Sequence, residues 1–362
     1  MHRILFVEDK PDSIATLIRH LERAGLLREK ATVLFDEADK ALQGFRPDIV
    51  VLDLLDGDGT AGSDAKGNST LKMIWNSRFC PIVIYSAQTE LAEPGDWSGH
   101  PFIAAVKKGA GSPEFVAKAI EAFADPVNYL QQAEYEVSGI YARALRDVAP
   151  IAYLASNEAK DRAEMIRRGG RRRLAAAMDL SESVIDIAPW EIYIFPPMAA
   201  RVKLGDILRL RDGHPNDPTA FRIVLTPSCD MARDGNPRQA EALLAKCVTC
   251  DTGLAAADMM GAKPDRIQTH LLNAGHKDGI LPLPALAGHV PDMMADLKRL
   301  EVVPLVEIGA DKKYVRVASI DSPFRELVSW AYQGTACRPG LPVRALKSWA
   351  EALASVVKVK TS

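Results

Sequence analysis

Short apolar runs alternate with amphipathic segments through the first 125 residues, and this alternation limits the chain to few folds. The apolar runs have the length and the Val, Ile and Leu content of buried strands, and they lie at 4–7, 31–35, 49–52, 82–85 and 102–106. After the first run, Ile14, Leu17, Ile18 and Leu21 recur at helical spacing, and Gly25 follows as a C-terminal cap. Strands that alternate with helices build a doubly wound parallel sheet, so we predict an α/β fold with five parallel strands.

Polar side chains follow these runs where each predicted strand ends. Because the carboxyl ends of parallel strands meet at one edge of a sheet, where ligands bind, we expect these side chains to lie together. Three carboxylates in one crevice repel each other unless a cation is bound, and oxygen ligands suit Mg²⁺. With the metal bound, one carboxylate can attack phosphorus while a lysine neutralises the transferring oxygens. The side chains are Glu8, Asp9, Asp53, Ser86, Lys107 and Lys108.

The order of these residues resembles the receiver domain of bacterial two-component response regulators, which has a flavodoxin-like fold. The resemblance covers residues 1–125 of the 362. It implies that Glu8 and Asp9 hold Mg²⁺, that Asp53 accepts the phosphoryl group and that Leu55 gives a backbone carbonyl oxygen to the metal. It also implies that a sensor histidine kinase or a small phosphodonor is the partner. The residues implied to contact the phosphoryl group are Ser86 and Lys108.

Two lysines compete for the position after the fifth strand. Lys108-Gly109-Ala110 followed by Ser112-Pro113-Glu114 resembles the Lys-Gly-Ala-Ser-Pro-Glu run of many receivers, with one glycine inserted. This favours Lys108, and Lys107 stays an alternative. We also expect Ser112 and Pro113 to be the cap and the first residue of the helix that follows.

The segment after Asp53 departs from the receiver pattern. A Met-Pro turn and a nearby Gly are expected there, whereas Asp56-Gly57-Asp58-Gly59-Thr60 opens a longer loop that reaches Gly67. The aspartates of this loop suggest calcium, but no Glu follows at the EF-hand position. We favour a solvated, flexible insert.

Residues 126–188 are predicted to be a helical linker or a dimerisation segment. Helical patterns cover 129–148, are interrupted at Pro150 and resume over 157–178. Five arginines in the second pattern form either a patch that contacts nucleic-acid phosphates or a solvated turn between two helices. Because no aromatic residues are interleaved, we favour the turn. The arginines are Arg167, Arg168, Arg171, Arg172 and Arg173.

Residues 189–362 are predicted to be a mainly β output domain with terminal helices. Short apolar runs separated by Gly, Pro and Asp suggest a small antiparallel barrel. Gly205-Asp206-Ile207 and the segment 222–226 loosely resemble the opening of the SH3-like barrels of MazF-type toxin ribonucleases. That resemblance implies an activity on RNA and places no catalytic residue.

The cysteines of this domain allow three interpretations. Cys229 follows a strand-like run and is a nucleophile if His214, His270, His276 or His289 serves as its base. Cys247 and Cys250 form a C-x-x-C that binds zinc if Cys229 and His270 or His276 complete the ligands. Cysteines at the end of an apolar run commonly pack as small hydrophobic residues, and we favour packing.

The composition limits the partners of the chain. A formal net charge of -2 and a pI near 6.4 provide no global attraction to nucleic acid or membranes. No signal peptide or run of 18 apolar residues is present, and five cysteines argue against a disulfide framework. We therefore expect a cytoplasmic protein without a membrane partner.

These observations lead to three hypotheses for function. The first is a signalling protein in which phosphorylation of Asp53 controls the C-terminal output domain, with no other enzymatic activity. The second is a toxin-like, RNA-acting enzyme that the receiver gates. The third is a phosphoryl-buffering protein in a defence or stress system. No helix-turn-helix pattern is present, which disfavours a conventional transcription factor.

Overall fold

A computed structural model describes residues 1–55, 66–77, 79–95, 97–179, 187–231, 239–337 and 346–359. The loop 56–60, for which calcium was considered, lies outside these ranges. The chain divides into two compact units, Met1–Glu182 and Ser183–Ser362. Within the ranges given, no helix has both the length and the apolar character needed to cross a bilayer.

The first unit contains a five-stranded sheet in which all neighbouring strands are parallel. The strand order is β2-β1-β3-β4-β5, which confirms the predicted doubly wound fold. All four residues of β3 and all five of β4 are buried, as expected for central strands covered on both faces. The strands are β1 (His2–Val7), β2 (Leu27–Val33), β3 (Ile49–Leu52), β4 (Ile82–Ser86) and β5 (Ile103–Lys107).

Helices cover both faces of this sheet. Alternate residues of β1 point to opposite faces, so Phe6 packs in one core with Leu17 and Ile120, while Leu5 packs in another with Leu71. The first core lies beneath α1 and α4, and the second beneath α2 and α3. These helices are α1 (Ala15–Arg23), α2 (Ala38–Phe45), α3 (Lys66–Ser77) and α4 (Ser112–Ala122).

Two long helices, α5 (Ala124–Ala155) and α6 (Ala159–Asp179), complete the first unit and pack against each other. The predicted interruption at Pro150 is wrong, because α5 continues through it. Pro150 and Arg146 are both exposed, so water can reach the carbonyl that the proline leaves without a backbone donor.

The predicted turn at the arginine run is also wrong, because α6 is continuous there. Its glycines face α5: a Cβ at Gly169 would lie 2.7 Å from Val148 Cγ1, and one at Gly170 would lie 2.7 Å from Leu145 Cδ2. Glycine therefore serves close helix packing here instead of breaking the helix. The arginine side chains that flank the pair are exposed.

The second unit contains a seven-stranded antiparallel sheet with the order β10-β11-β9-β8-β7-β12-β6. The antiparallel, β-rich character of the C-terminal part is confirmed. The seven strands are β6 (Tyr193–Ile194), β7 (Asp206–Leu210), β8 (Phe221–Val224), β9 (Glu241–Val248), β10 (Ile280–Leu283), β11 (Met293–Pro304) and β12 (Tyr314–Ile320).

The predicted barrel closure is not seen among the described strands, since no pairing joins β10 to β6. Pro282 lies inside β10, and Pro196 follows β6 by two residues. Proline lacks the N–H that a ladder requires, which suits both strands to the edges of an open sheet.

Helices of the second unit contact strand β11 of this sheet. Val328 and Ala331 of α10 are buried in the main core with Phe221 and Ile207. Met294 packs in a smaller core with Leu271. The helices are α7 (Ser228–Met231), α8 (Cys250–Ala256), α9 (Pro264–Ile267), α10 (Phe324–Ala336) and α11 (Leu346–Val359), with a π-helical turn at Gln268–Leu272.

Candidate functional site

Three charged side chains meet at the carboxyl edge of the parallel sheet. Glu8 follows β1, Asp53 follows β3 and Lys108 follows β5. Lys108 Nζ lies 2.6 Å from Glu8 Oε2 and 2.7 Å from Asp53 Oδ2. Lys107, the competing lysine, is exposed as the last residue of β5. The structure therefore places Lys108 in the crevice.

The carboxylates form a group whose chemistry fits a divalent cation. Ligand atoms of Glu8, Asp9 and Asp53 all lie within 4.8 Å of one another. Burial raises the pKa of Glu8 to about 7, against the opposing effect of Lys108, and the neighbouring Asp53 and Asp9 raise it further. Hard oxygen ligands and excess negative charge are what Mg²⁺ requires, so these residues can hold it.

The carboxylate of Asp53 is fixed by its own backbone surroundings. Its Oδ1 accepts the N–H of Leu54 at 2.7 Å and the N–H of Leu55 at 3.2 Å. Its Oδ2 contacts Lys108. Leu55, predicted to give its carbonyl oxygen to a metal, is buried beside the carboxylate and contacts it through its N–H.

Gly67, at the start of α3, lies against the same backbone. A Cβ at this position would lie 2.3 Å from Leu54 Cα and 2.5 Å from the carbonyl oxygen of Asp53. The Gly67 N–H donates to the Leu54 carbonyl at 3.2 Å. Sequence reasoning missed this residue, because its only signal is a glycine at the end of a loop.

Ser86 ends β4 and is fully buried. Its Oγ has no hydrogen-bond partner in the described part of the chain, whereas its carbonyl oxygen accepts the Lys108 N–H at 2.9 Å. A buried hydroxyl without a partner costs about 1–3 kcal/mol. The hydroxyl is therefore free to bond a ligand oxygen that enters this crevice.

Sequence reasoning also missed the contact between Tyr85 and Ser112. The Tyr85 hydroxyl lies 2.8 Å from Ser112 Oγ, and Lys108 Nζ lies 5.5 Å from the centre of the tyrosine ring. Ser112 was expected to cap α4. Instead Gly111 is the cap residue and Ser112 is the first helical residue, with its hydroxyl directed at the preceding turn.

The structure does not bring the predicted zinc ligands together. Cys247 is buried in the main core, where burial raises its thiol pKa to about 12, and this agrees with packing. Cys229 is exposed. Over the described ranges, metal-capable side chains gather only at the edge of the parallel sheet. Among the described residues, no three of the predicted ligands come together; these ligands are Cys229, Cys247, Cys250, His270 and His276.

The residues that resemble MazF-type barrels have structural partners. Asp206 is fully buried, accepts Ser319 Oγ–H at 2.6 Å and lies 2.9 Å from Arg316 Nε. Arg222 Nε lies 2.6 Å from Glu301 Oε1. The Asp206 contacts join the neighbouring strands β7 and β12, and the Arg222 contact reaches from β8 to β11 across β9.

No family model and no curated protein matches the chain. A solved response-regulator receiver domain from Methanoculleus marisnigri JR1 is 25% identical over 33% of this chain and 94% of its own, with a TM-score of 0.25. The response regulator PhyR from Brucella abortus is 17% identical over 37% of this chain and 50% of its own, with a TM-score of 0.27. The receiver domain of Nitrogen Regulatory Protein C is 22% identical over 34% of this chain and 95% of its own, with a TM-score of 0.27. Over its N-terminal third, the chain is similar in structure to response-regulator receiver domains.

Proposed function

We propose that the chain is a response-regulator-like signalling protein that is phosphorylated on Asp53 and thereby controls its C-terminal output domain. The observation that supports this best is the crevice itself. A buried aspartate with a fixed orientation lies there beside a lysine and two further acids. Receivers need this combination to form and stabilise an acyl phosphate.

Mg²⁺, when bound by Glu8, Asp9, Asp53 and the Leu55 carbonyl, supplies positive charge that offsets the charge on the transferring oxygens. Asp53 Oδ2 is the attacking atom, because Oδ1 already accepts two backbone N–H groups. A bond forms between Oδ2 and phosphorus as the bond from phosphorus to the donor atom breaks, and the donor leaves with those electrons.

Two side chains receive the transferred group. The Lys108 ammonium, which contacts the attacking oxygen, stays close enough to pair with a phosphoryl oxygen. The Ser86 hydroxyl, which has no other partner among the described residues, donates to a second oxygen. Both contacts form as the group is transferred, so both stabilise the transition state and the modified state relative to the unmodified protein.

The test is incubation of the full chain with Mg²⁺ and acetyl phosphate, followed by intact-mass measurement. We expect the gain of one acid-labile phosphoryl group in the wild type and none in Asp53→Asn. Asp39→Asn, a change at an exposed aspartate of α2, is the matched control and should be modified like the wild type. A gain that persists in Asp53→Asn would exclude Asp53 as the acceptor.

The proposal extends to the surroundings of the protein. The phosphodonor is a sensor histidine kinase or a small phosphorylated metabolite in the bacterial cytoplasm. A homodimer formed through the helical segment remains part of the prediction. An output that acts on RNA, gated by the receiver, is the alternative.

The exposed arginines of α6 favour nucleic acid as a second partner. Arg167 and Arg168 contact Glu164, and Arg173 contacts Asp147. Arg171 and Arg172 have no acidic side chain within ion-pair distance in the described ranges. Replacing both with Ala should weaken RNA binding and reduce its salt dependence by about two counterions. Arg167→Ala removes an arginine that already pairs with Glu164, so it should change the RNA affinity and its salt dependence less.

A further inference from the structure

The turn that carries Lys108 is closed by a serine. Ser112 Oγ–H donates to the Gly109 carbonyl at 2.7 Å, and the Gly109 N–H donates back to Ser112 Oγ at 3.2 Å. Ser112 is 3% exposed. These two bonds hold the peptide units on both sides of Gly109, which follows the lysine directly.

Tyr85 forms a third hydrogen bond with this serine. A hydroxyl has one hydrogen, and Ser112 uses it on the Gly109 carbonyl, which can only accept. The 2.8 Å contact between the two hydroxyls therefore has Tyr85 as the donor. Because the Tyr85 side chain is buried, its hydroxyl needs a hydrogen-bond partner within the protein, and Ser112 provides it.

Both the backbone and the side-chain ammonium of Lys108 are therefore held in place. Its backbone N–H donates to the Ser86 carbonyl at 2.9 Å, next to Tyr85 in β4. Its ammonium lies 5.5 Å from the centre of the Tyr85 ring. The Tyr85 ring therefore lies beside the lysine ammonium. The Tyr85 hydroxyl bonds Ser112, which in turn bonds the peptide units on both sides of Gly109.

We propose that Tyr85 and Ser112 are positioning residues that hold Lys108 at Asp53. This inference rests on the proposed function of the crevice. It also explains how the turn tolerates the glycine inserted relative to the receiver run. Gly111 has a φ of 77°, and the extra residue lengthens the path from Lys108 to α4. The two hydroxyls fix a turn that would otherwise have more freedom.

Greater freedom of the Lys108 side chain should slow phosphoryl transfer but should not weaken cation binding. Phosphoryl transfer needs the ammonium beside the transferring oxygens, and small misplacements reduce such rates strongly. Cation binding needs Glu8 and Asp53, whose oxygens Lys108 now occupies. A looser lysine therefore slows phosphorylation without weakening the affinity for Mg²⁺.

The test compares Tyr85→Phe and Ser112→Ala with the wild-type full chain. Tyr129→Phe, at an exposed tyrosine of α5, is the control. We expect acyl phosphate formation from acetyl phosphate to slow about tenfold in both variants. The Mg²⁺ dissociation constant should stay equal or fall, and amide exchange over Lys108–Ser112 should accelerate. The control should match the wild type in all three measurements.

Two results would overturn the proposal. One is an unchanged phosphorylation rate in both variants. The other is a joint loss of rate, Mg²⁺ affinity and melting temperature, which indicates a general structural role. If the wild type accepts no phosphoryl group, the proposed function fails. In that case the amide exchange rates over Lys108–Ser112 still test whether Tyr85 and Ser112 hold the turn. Equal rates in the variants and the wild type would reject this positioning role as well.

Discussion

The ammonium of Lys108 lies between two buried carboxylates, Glu8 and Asp53. Removing one member of such a group leaves the other charges buried and uncompensated, which typically costs about 3–5 kcal/mol. The raised pKa of Glu8 shows that burial and the neighbouring acids outweigh the lysine at that position. When Glu8, Asp9 and Asp53 are all ionised, their three negative charges exceed the single positive charge of Lys108, and a divalent cation would offset that excess.

Gly67 should be essential for the shape of this crevice. We expect Gly67→Ala to displace the backbone at Asp53 and Leu54, because the new Cβ would lie 2.3 Å from Leu54 Cα, far inside van der Waals contact. The free energy of unfolding should fall by about 1–3 kcal/mol, and phosphorylation should be lost. Gly44→Ala, in α2 with no atom within 4 Å, is the control. It should stabilise the protein slightly. Normal phosphorylation in Gly67→Ala would contradict this prediction.

The buried thiol of Cys247 should make stability depend on pH. Its folded pKa is raised to about 12, while an unfolded thiol has a pKa of about 8.5. Between these values the native state keeps a proton that the unfolded state releases. The free energy of unfolding should therefore fall as pH rises, by at most about 1.4 kcal/mol per pH unit from this group.

Denaturant unfolding between pH 8 and pH 11 tests this dependence. In Cys247→Ala, the free energy of unfolding should fall less steeply with rising pH than in the wild type, whatever the stability of the variant at neutral pH. Cys337→Ala changes an exposed cysteine and should leave the decline as it is. Parallel curves for the wild type and Cys247→Ala would show that the thiol titrates normally.

At the scale of elements, the pairing of α5 with α6 depends on two glycines. Leu145 and Val148 of α5 occupy the space that side chains at Gly169 and Gly170 would need. Close contact of this kind brings helix backbones together, while the flanking arginines stay exposed and Arg173 pairs with Asp147 at the edge of the contact. The arginine run is therefore presented outward by the packing of its glycines.

Substitution of Gly170 should separate these two helices. Gly170→Ala places a methyl group 2.7 Å from Leu145 Cδ2, and we expect about 1–3 kcal/mol of destabilisation despite the better helix propensity of alanine. Gly139→Ala in α5, whose nearest neighbour would be the end of an arginine side chain at 3.9 Å, should stabilise the protein. Thermal unfolding of both variants checks the contrast. Equal effects would show that the close contact does not matter.

Periodicity located most elements but not their limits. It identified all five strands of the parallel sheet, because each overlaps a short apolar run, and β3 and β4 are buried along their whole length. It missed β10, whose proline argues against a strand until its edge position is known. It also missed the first half of β11, which is largely buried. The continuity of α5 and α6 also escaped it. Local rules for Pro and Gly give way where a neighbouring helix supplies the packing energy.

At the scale of the whole molecule, each unit has hydrophobic cores of its own. Among the described residues, two core clusters lie entirely within 1–182, and three lie within 183–362. A unit that buries its own core can fold alone. The functional division at 125 and 188 stays a prediction, while α5 and α6 belong structurally to the first unit.

A chain of residues 1–182 should therefore fold and accept a phosphoryl group. We expect a cooperative thermal transition and a phosphorylation rate within about threefold of the full chain, since all proposed site and positioning residues precede residue 113. Circular dichroism and intact mass are the measurements. Loss of signalling output with retained phosphorylation would favour control of the C-terminal domain. Full biological activity of the fragment would instead favour phosphoryl buffering.

The sequence by itself determined the parallel sheet and the order of its acidic, serine and lysine residues. Both follow from local pattern, because buried strands are apolar and parallel strands bring their ends to one edge. Only the tertiary structure decided which lysine enters the crevice, what Gly67 contacts and how Tyr85 and Ser112 close the turn. Those outcomes depend on distances between residues far apart in the chain, which no local pattern encodes. The same reason applies to the second unit, where, among the described residues, the predicted zinc ligands do not gather and β10 does not pair with β6.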